Sequence, residues 1–304
     1  MDFDKEIERL KELVEKGLDS YLPRAEGEAK TLYEAMRYTV LAPGKRIRPL
    51  LLLLSSKACL GTEEEALPYA CALEFIHNYS LIHDDLPSMD NDDLRRGRPT
   101  CHKVYGEAMA ILAGDGLLSR AMELIHEAYQ AGNSPLVQRV EAGAVIVRGC
   151  GCGGMVAGQV VDIESEGKEV SAGLLDFIHS NKTAALISAA VVAGACLGKA
   201  RSSALPRAMA VYGESIGLAF QIVDDILDAE GETGVIGKTA GKDAAAGKAT
   251  YVSVNGVKAA RERLAELTGI AVDAVLMNKH EDGADEECME LLAEFARRLA
   301  ARIK

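Results

Sequence analysis

The chain has 304 residues, of which 48% are hydrophobic, and its 46 acidic residues outnumber its 34 basic residues to give a formal charge of −12. This charge disfavours binding to nucleic acid or to an anionic membrane surface, and an anionic substrate would have to be recruited by local cations. With only 8 prolines and no tryptophan, the composition favours helix over sheet.

The first part of the chain predicts helices joined at a basic turn. Apolar residues recur at helical spacing over residues 4–20, without the basic-then-apolar layout of a signal peptide. A turn at residues 43–44 then carries three cations directly before a run of leucines, namely Lys45, Arg46 and Arg48. The sequence therefore places these cations at the mouth of a buried helix.

The rest of the chain also follows the helical period, with no strand alternation, low-complexity tract or linker. A glycine-rich part, residues 149–158, is expected to bend its helix or to pack it closely against a neighbour. The sequence therefore predicts a single all-α domain over residues 1–304. Helices are predicted over residues 31–41, 62–82, 105–131, 134–163, 171–198, 206–228, 257–278 and 284–303.

A dense acidic cluster follows the apolar helical run 75–82. Five aspartates lie within residues 84–93, and three arginines follow within residues 95–98. Carboxylates at this density repel one another unless cations lie among them, and oxygen ligands suit Mg²⁺. Arginine presents the fork geometry that binds phosphate. Alone, such a cluster could equally be a solvated acidic loop; with the arginines, it predicts a diphosphate site.

A second acidic cluster strengthens that prediction. Asp224, Asp225 and Asp228 follow another apolar helical run. Asp224 and Asp228 are four positions apart and so share a helix face, with Gln221 one turn earlier on the same side. Two carboxylate clusters far apart in the sequence could close on one group of metal ions from opposite walls of a cavity.

These segments together resemble the trans-prenyl diphosphate synthases, also called polyprenyl synthetases, and among them the bacterial farnesyl diphosphate synthase type. The matches run in the family's order and cover roughly residues 35–255. The matching segments are 44–49 (GKRIRP), 84–90 (DDLPSMD), 93–97 (DLRRG), 158–162 (GQVVD), 182–183 (KT), 220–221 (FQ), 224–228 (DDILD) and 247–251 (GKATY).

The resemblance implies a bundle of long antiparallel helices around a central cavity, the isoprenoid synthase type I fold. It also implies a homodimer that uses three Mg²⁺ ions to join isopentenyl diphosphate to an allylic diphosphate. The implied catalytic residues are Asp84, Asp85, Asp90, Lys182, Thr183, Gln221, Asp224, Asp225 and Asp228, of which Asp84, Asp90 and Asp224 are metal ligands. The implied isopentenyl diphosphate residues are Lys45, Arg48, His77 and Arg96, and the implied allylic diphosphate residues are Arg95, Lys182, Thr183, Gln221 and Lys238.

The product length is expected to depend on the helix that leads into the first aspartate cluster. A diphosphate anchored at Asp84 and Asp90 would direct the growing tail back along this helix, toward Ser80 and Tyr79. A serine blocks little, whereas the Tyr79 ring is large enough to close the channel. In the resembling farnesyl synthases, an aromatic residue here accompanies a C15 product. If Tyr79 instead packs away from the cavity, a geranylgeranyl product becomes plausible.

The lysine-rich loop 230–248 is expected to be either a lid over the phosphates or an ordinary connection. The 7 cysteines are expected to be reduced in a cytosolic protein. Cys150 and Cys152 could form a metal or redox pair, but no second pair is placed to complete a site. The apolar stretch 184–197 is shorter than the ~20 residues that span a bilayer, so we expect a soluble protein without stable membrane insertion.

Three other functions share parts of this pattern. A class I terpene cyclase has similar metal chemistry, but it normally carries an Asn/Ser/Glu second motif and does not need Lys45, Arg48 and Arg96. A non-catalytic subunit of a heteromeric synthase tends to lose aspartates or arginines, and here both sets are intact. His83 beside Asp84 would suit a metal phosphohydrolase, but the 6 histidines form no second cluster.

Overall fold

The computed structural model describes residues 2–199, 202–230 and 248–303, and within these ranges nearly all regular structure is helical. The predicted all-α fold is therefore confirmed. The helices are α1 (Phe3–Tyr21), α2 (Lys30–Val40), α3 (Ile47–Ala58), α4 (Glu63–Asp84), α5 (Cys101–Tyr105), α6 (Glu107–Ala131), α7 (Leu136–Cys150), α8 (Met155–Ser165), α9 (Ala172–Ile178), α10 (Ala185–Cys196), α11 (Ala204–Glu230), α12 (Tyr251–Asn255), α13 (Val257–Leu276) and α14 (Glu286–Ala300).

Helices α1 and α3 show how the local sequence sets where a helix begins and which of its faces are buried. The Asp2 side chain accepts a hydrogen bond from the Lys5 backbone N–H and so caps α1, while Leu10 and Val14 bury one face of that helix. Helix α3 is different, because residues 49–56 are all buried. A helix that is buried on every side belongs at the centre of the bundle.

Helix α3 packs against α10, which also contacts α7 and α11, while α4 packs against α6 and α11 against α13. Gly194 of α10 permits the close contact with α3, since a Cβ there would lie 2.2 Å from the Leu52 carbonyl oxygen. The aspartate-bearing ends of α4 and α11 both border one central cavity of about 1250 Å³. The bundle therefore brings together the two acidic clusters that the sequence separates.

Two local features depart from the predicted run of helices. Leu94–Arg95 and Arg98–Pro99 form a short antiparallel hairpin, β1–β2, although no strand was expected. Its strands have two residues each, too few to show a period of two. The predicted helix 171–198 contains a π-helical turn, His179–Ala184, between α9 and α10. A further expectation is confirmed, since the glycine-rich part breaks the helix between Cys150 and Met155.

One stretch within the described ranges, Leu136–Ser165, is long and apolar enough to cross a membrane by length and composition alone. It differs from the stretch 184–197 that the sequence singled out. Only 28% of its most apolar window is buried, and the turn at residues 151–154 divides it into α7 and α8. Its exposed apolar side chains therefore need a separate explanation.

Candidate active site

The first aspartate cluster starts where α4 ends. The chain turns back there, so that the Asp90 N–H donates to the Asp84 carbonyl at 2.8 Å. Both side chains border the cavity. Burial raises the pKa of Asp84, and the neighbouring Asp90 adds to this while Lys182 opposes it. The site thus holds a carboxylate whose negative charge is poorly compensated by the protein alone.

Asp85 has a different environment from its neighbour. Its side chain is buried and accepts hydrogen bonds from Arg95 Nε at 2.7 and 2.9 Å, with Arg95 Nη2 at 2.5 Å. Asp85 is absent from the lining of the central cavity, whereas Arg95 reaches it. The structure therefore places Asp85 behind the site, where it orients the arginine that the resemblance assigns to the allylic diphosphate.

The second cluster lies on α11 and borders the same cavity as the first. Gln221, Asp224 and Asp228 all border the cavity, as expected for residues on one helix face. Asp225 is buried and holds two neighbours, because it accepts hydrogen bonds from Gln221 Nε2 at 2.7 Å and from the Tyr251 N–H at 2.6 Å. Asp225 thereby fixes both the Gln221 amide and the start of α12.

The π-helical turn carries Lys182 and Thr183 into the cavity. Lys182 Nζ lies 2.5 Å from Asp162 Oδ2, and the Thr183 hydroxyl donates to Gln221 Oε1 at 2.8 Å. Helix α8 approaches the π-helical turn so closely that a Cβ at Gly158 would lie 2.1 Å from the backbone nitrogen of Lys182. Only glycine fits there, which explains the glycine in the 158–162 segment.

A group of cations surrounds His77 at another part of the cavity wall. Arg48, Arg96 and Lys45 border the cavity with it. Burial lowers the pKa of His77 well below its ordinary value, and Arg48 and Arg96 lower it further. Burial also lowers the pKa of Arg48 to about 10, and its Nε atom is buried without a hydrogen-bond partner. A pocket with this excess of positive charge suits a polyanion.

Arg96 reaches this pocket from the tip of the β-hairpin. Arg96 and Gly97 both have positive φ angles, 53° and 76°, as a tight two-residue hairpin turn requires. An arginine in this backbone region is strained, and such strain concentrates at functional sites. Its Nη1 atom donates to the Pro43 carbonyl at 3.2 Å. A Cβ at Gly44 would lie 2.6 Å from the same nitrogen, so the glycine leaves room for the guanidinium.

Tyr79 and Ser80 both border the cavity on the α4 side. The Tyr79 side chain is nearly buried, and its ring meets the His83 ring edge-on with centroids 5.8 Å apart. Burial raises the pKa of the Tyr79 phenol to about 12, so the hydroxyl stays neutral. The Ser80 hydroxyl donates to the His77 carbonyl at 2.9 Å and projects little into the cavity.

Two cationic residues without an individual role in the sequence analysis pair with aspartates of the site. Lys248 Nζ lies 2.8 Å from Asp90 Oδ1; its signals were the 247–251 match and its place in the lysine-rich loop 230–248. Arg302 Nη1 lies 3.6 Å from Asp224 Oδ1; it follows α14 at the far end of the fold, where no motif marks it. Lys238 lies outside the described residues, as does most of the loop 230–248.

The donor set fits divalent cations of the magnesium type. Within the described ranges, no group of three or more acidic, histidine or cysteine side chains converges on one point. Mg²⁺ does not need one, since it usually takes one or two carboxylates per ion and completes its shell with water and phosphate oxygens. The Lys248 ammonium beside Asp90 shows that this carboxylate already attracts a cation. Asp84, Asp90 and Asp224 would hold the ions.

Comparisons with known proteins identify the family of the chain. The sequence model of the polyprenyl synthetase family matches residues 29–291. A farnesyl diphosphate synthase from Geobacillus stearothermophilus is 50% identical over 255 residues, which is 84% of this chain and 85% of that protein. The large subunit 1 of a heterodimeric geranylgeranyl pyrophosphate synthase from Arabidopsis thaliana is 48% identical over 278 residues, or 90% and 74% of the two chains.

Among solved structures, a geranyltransferase from Helicobacter pylori in complex with magnesium and isoprenyl diphosphate is similar over 98% of this chain and 96% of that one. The two share 31% of their residues, with a TM-score of 0.83. The fold, the paired aspartate clusters and the match over most of the sequence lead to one conclusion. The chain belongs to the polyprenyl synthetase family and has the isoprenoid synthase fold of the prenyltransferases.

Proposed function

We propose that the protein is a magnesium-dependent farnesyl diphosphate synthase, which adds isopentenyl diphosphate to dimethylallyl diphosphate and then to geranyl diphosphate. One observation supports it above all. A single cavity is bordered both by carboxylates from two different helices and by the cationic pocket around His77. These are two anion sites of different chemistry, as two diphosphate substrates require.

In the first step the carbon–oxygen bond of the allylic diphosphate breaks, and its electron pair leaves with the diphosphate. The magnesium ions, when bound by Asp84, Asp90 and Asp224, supply Lewis-acid charge to that leaving group. Lys182 and Arg95 add fixed positive charge at the same wall. The Gln221 amide, held by Thr183 and Asp225, presents a fixed dipole to the allylic cation without acting as a nucleophile.

In the second step the double bond of isopentenyl diphosphate attacks the allylic cation, and a carbon–carbon bond forms. Lys45, Arg48, His77 and Arg96 hold the isopentenyl diphosphate so that its alkene faces the cation, which removes most of the entropic cost of the encounter. The resulting cation loses a proton, for which the released diphosphate is the available base. Water must stay out during both steps, or the cation would be quenched to an alcohol.

The direct test is chromatography of the products made from labelled isopentenyl diphosphate with dimethylallyl diphosphate. We expect farnesyl diphosphate in the presence of Mg²⁺ and no condensation in its absence. A geranylgeranyl product would instead favour a geranylgeranyl diphosphate synthase, since a similar protein is named as the large subunit of a heterodimeric geranylgeranyl pyrophosphate synthase. Cyclic hydrocarbons, or free phosphate without condensation, would rule out a prenyl diphosphate synthase.

Lys45→Ala and Arg48→Ala should each raise KM for isopentenyl diphosphate by roughly tenfold or more, because each removes a charge-assisted contact to phosphate. The KM for geranyl diphosphate should change much less, since the resemblance assigns the allylic diphosphate to other cations, among them Arg95 and Lys182. Lys30→Ala is a matched control, because Lys30 is an exposed cation paired with Glu34 on α2. An effect confined to the allylic substrate would show that the two pockets are assigned the wrong way round.

We further propose that the protein forms a homodimer through the exposed apolar face of α6 and α7. The helices are neighbours, and six large apolar side chains on them are exposed: Ile111, Leu112, Leu136, Val137, Val140 and Val147. Soluble monomers rarely expose large apolar patches, and a two-fold interface uses the same surface on both copies. This face also accounts for much of the apolar character of the stretch 136–165.

Val140→Glu should therefore shift the protein from dimer to monomer in sedimentation velocity, with a dissociation constant raised by roughly a hundredfold. The cause is the desolvation of a carboxylate at the centre of an apolar contact. Val211→Glu, an equally exposed valine on α11, should leave the assembly unchanged. A wild-type protein that sediments as a monomer at every concentration would refute the homodimer.

A further inference from the structure

The three cations of the basic turn have different surroundings. All three residues line the cavity, but Lys45 is exposed and Arg48 is half-buried, whereas the Arg46 side chain is 0% exposed. The Arg46 backbone has a φ of 51°, so its side chain leaves the turn in another direction. It enters the protein between α1 and α4, where it meets two carboxylates and two carbonyl groups.

All three nitrogens of the Arg46 guanidinium donate to acceptors within the protein. Nε donates to Glu15 at 2.8 Å and Nη1 donates to Glu74 at 2.9 Å. Nη2 donates to the Val40 and Ala42 carbonyl oxygens at 2.7 and 2.9 Å. The guanidinium is thus fully buried and already bonded at each nitrogen. Arg46 is therefore not a phosphate ligand, although it lies in the motif that supplies two of them.

Glu74 is the unusual partner in this group. Its side chain is only 2% exposed, yet it borders the cavity beside His77. It is also close to the two phosphate-binding arginines: burial lowers the pKa of Arg48 and of Arg96, and the Glu74 carboxylate opposes that shift in both. A carboxylate in this place has the charge and the geometry to compete with a diphosphate.

We propose that Arg46 is a positioning residue that acts through Glu74, by holding its carboxylate so that Arg48 and Arg96 remain available to a diphosphate. Without Arg46, the buried Glu74 would be left without its main counter-ion, a costly state that is relieved by pairing with the nearest cations. Those cations are Arg48 and Arg96. Arg46 thus prevents the Glu74 carboxylate, which belongs to the pocket wall, from pairing with Arg48 and Arg96 in place of the diphosphate.

This inference rests on the proposed function, because it concerns the isopentenyl diphosphate pocket. It differs from a simple structural role in a measurable way. If Arg46 only stabilised the turn, its loss would harm the pocket whatever residue stood at position 74. If Arg46 acts through Glu74, removal of the Glu74 charge should cancel the harm, since the competing anion is gone.

The test compares the wild type, Arg46→Met, Glu74→Gln and the double variant. Binding of inorganic diphosphate is measured by calorimetry in EDTA, so that only the cationic pocket is probed, and KM for isopentenyl diphosphate is measured separately with Mg²⁺. Arg46→Met should weaken diphosphate binding by roughly tenfold or more. Glu74→Gln should bind as tightly as the wild type or more tightly, and the double variant should recover to within about threefold of the wild type.

Glu15→Gln is the matched control, because it removes the other carboxylate partner of Arg46. That side chain is 36% exposed and does not line the cavity, so binding should change by no more than about twofold. The kcat of Arg46→Met at saturating isopentenyl diphosphate should stay close to that of the wild type. A KM effect without a kcat effect is what competition for the pocket predicts.

Several results would overturn the inference. A double variant as weak as Arg46→Met, or a Glu74→Gln variant weakened tenfold, would show that Arg46 does not act through Glu74. If Arg46→Met does not fold, the double variant decides the question, since it must fold and bind like Glu74→Gln. Wild-type protein that binds no diphosphate in EDTA would refute the cationic pocket itself, and with it the proposed function.

Discussion

Replacement of Asp84 or Asp224 by asparagine should lower kcat/KM by about a thousandfold or more, because each change removes negative charge that holds the metal ions at the leaving group. The two residues border one cavity from different helices, so neither should compensate for the other. Steady-state kinetics with geranyl diphosphate over a range of Mg²⁺ concentrations would measure the loss. Raising the Mg²⁺ concentration should restore little of it.

The control for these variants is Asp93→Asn, which changes a carboxylate in the same segment. Asp93 faces solvent and pairs with Lys103 at 2.7 Å, so its loss should leave turnover close to wild type. Near-normal turnover of the Asp84 or Asp224 variant at saturating Mg²⁺ would contradict the facing-carboxylate arrangement. Equal losses in all three variants would show that the kinetics report a general charge effect.

The same substitution at Asp84 should not destabilise the protein. Burial, and after it the Asp90 charge, raises the pKa of Asp84, which means that the folded protein disfavours the charged form. An asparagine relieves that cost, so thermal unfolding in EDTA should show an unchanged or higher midpoint. Asp85→Asn should do the opposite, because it breaks a buried ion pair with Arg95.

The helical bundle could be predicted because each helix carries its own signal. Apolar residues at helical spacing indicate the helices, and Gly44 and the glycines of 149–158 mark turns that the structure also contains. The aspartate clusters were visible for a related reason. Both are short local segments, so their residues need no distant contact to be recognised.

The roles within the clusters could not be predicted, because adjacent residues differ only in the direction of their side chains. Asp84 faces the cavity and Asp85 faces Arg95; Arg48 faces the cavity and Arg46 faces Glu74. These directions depend on contacts between helices that are distant in the sequence.

Backbone strain accompanies two of the cations in and beside the cationic pocket around His77. Arg46 and Arg96 both have φ angles near 50°, a region that costs a non-glycine residue of order 1 kcal/mol or more. The surrounding contacts hold both residues in place. Arg46 donates to five oxygen atoms of two carboxylates and two carbonyl groups, and Arg96 belongs to the hairpin turn. The strained backbone thus lowers stability, but it directs the Arg96 side chain into the cavity and the Arg46 side chain toward Glu74.

Tyr79→Ala should lengthen the product from farnesyl to geranylgeranyl diphosphate or beyond. The Tyr79 ring borders the cavity on α4 and packs edge-on against His83, which in turn lies 3.1 Å from the Ile111 carbonyl oxygen of α6. The ring is therefore held in place by the neighbouring helix. Its removal opens space along the path of the growing tail, and the ratio of C20 to C15 product should rise by roughly tenfold or more.

Tyr79→Phe is the control, because it keeps the ring and loses only a hydroxyl that stays neutral in the protein. It should make the same product as the wild type, which would assign the effect to ring volume rather than to the phenol. Products are separated by chain length at a fixed ratio of isopentenyl to allylic substrate, since an excess of isopentenyl diphosphate lengthens products by mass action. A folded Tyr79→Ala protein with an unchanged product would mean that the cavity floor is formed by other residues, because the space opened by the alanine would then lie off the path of the tail.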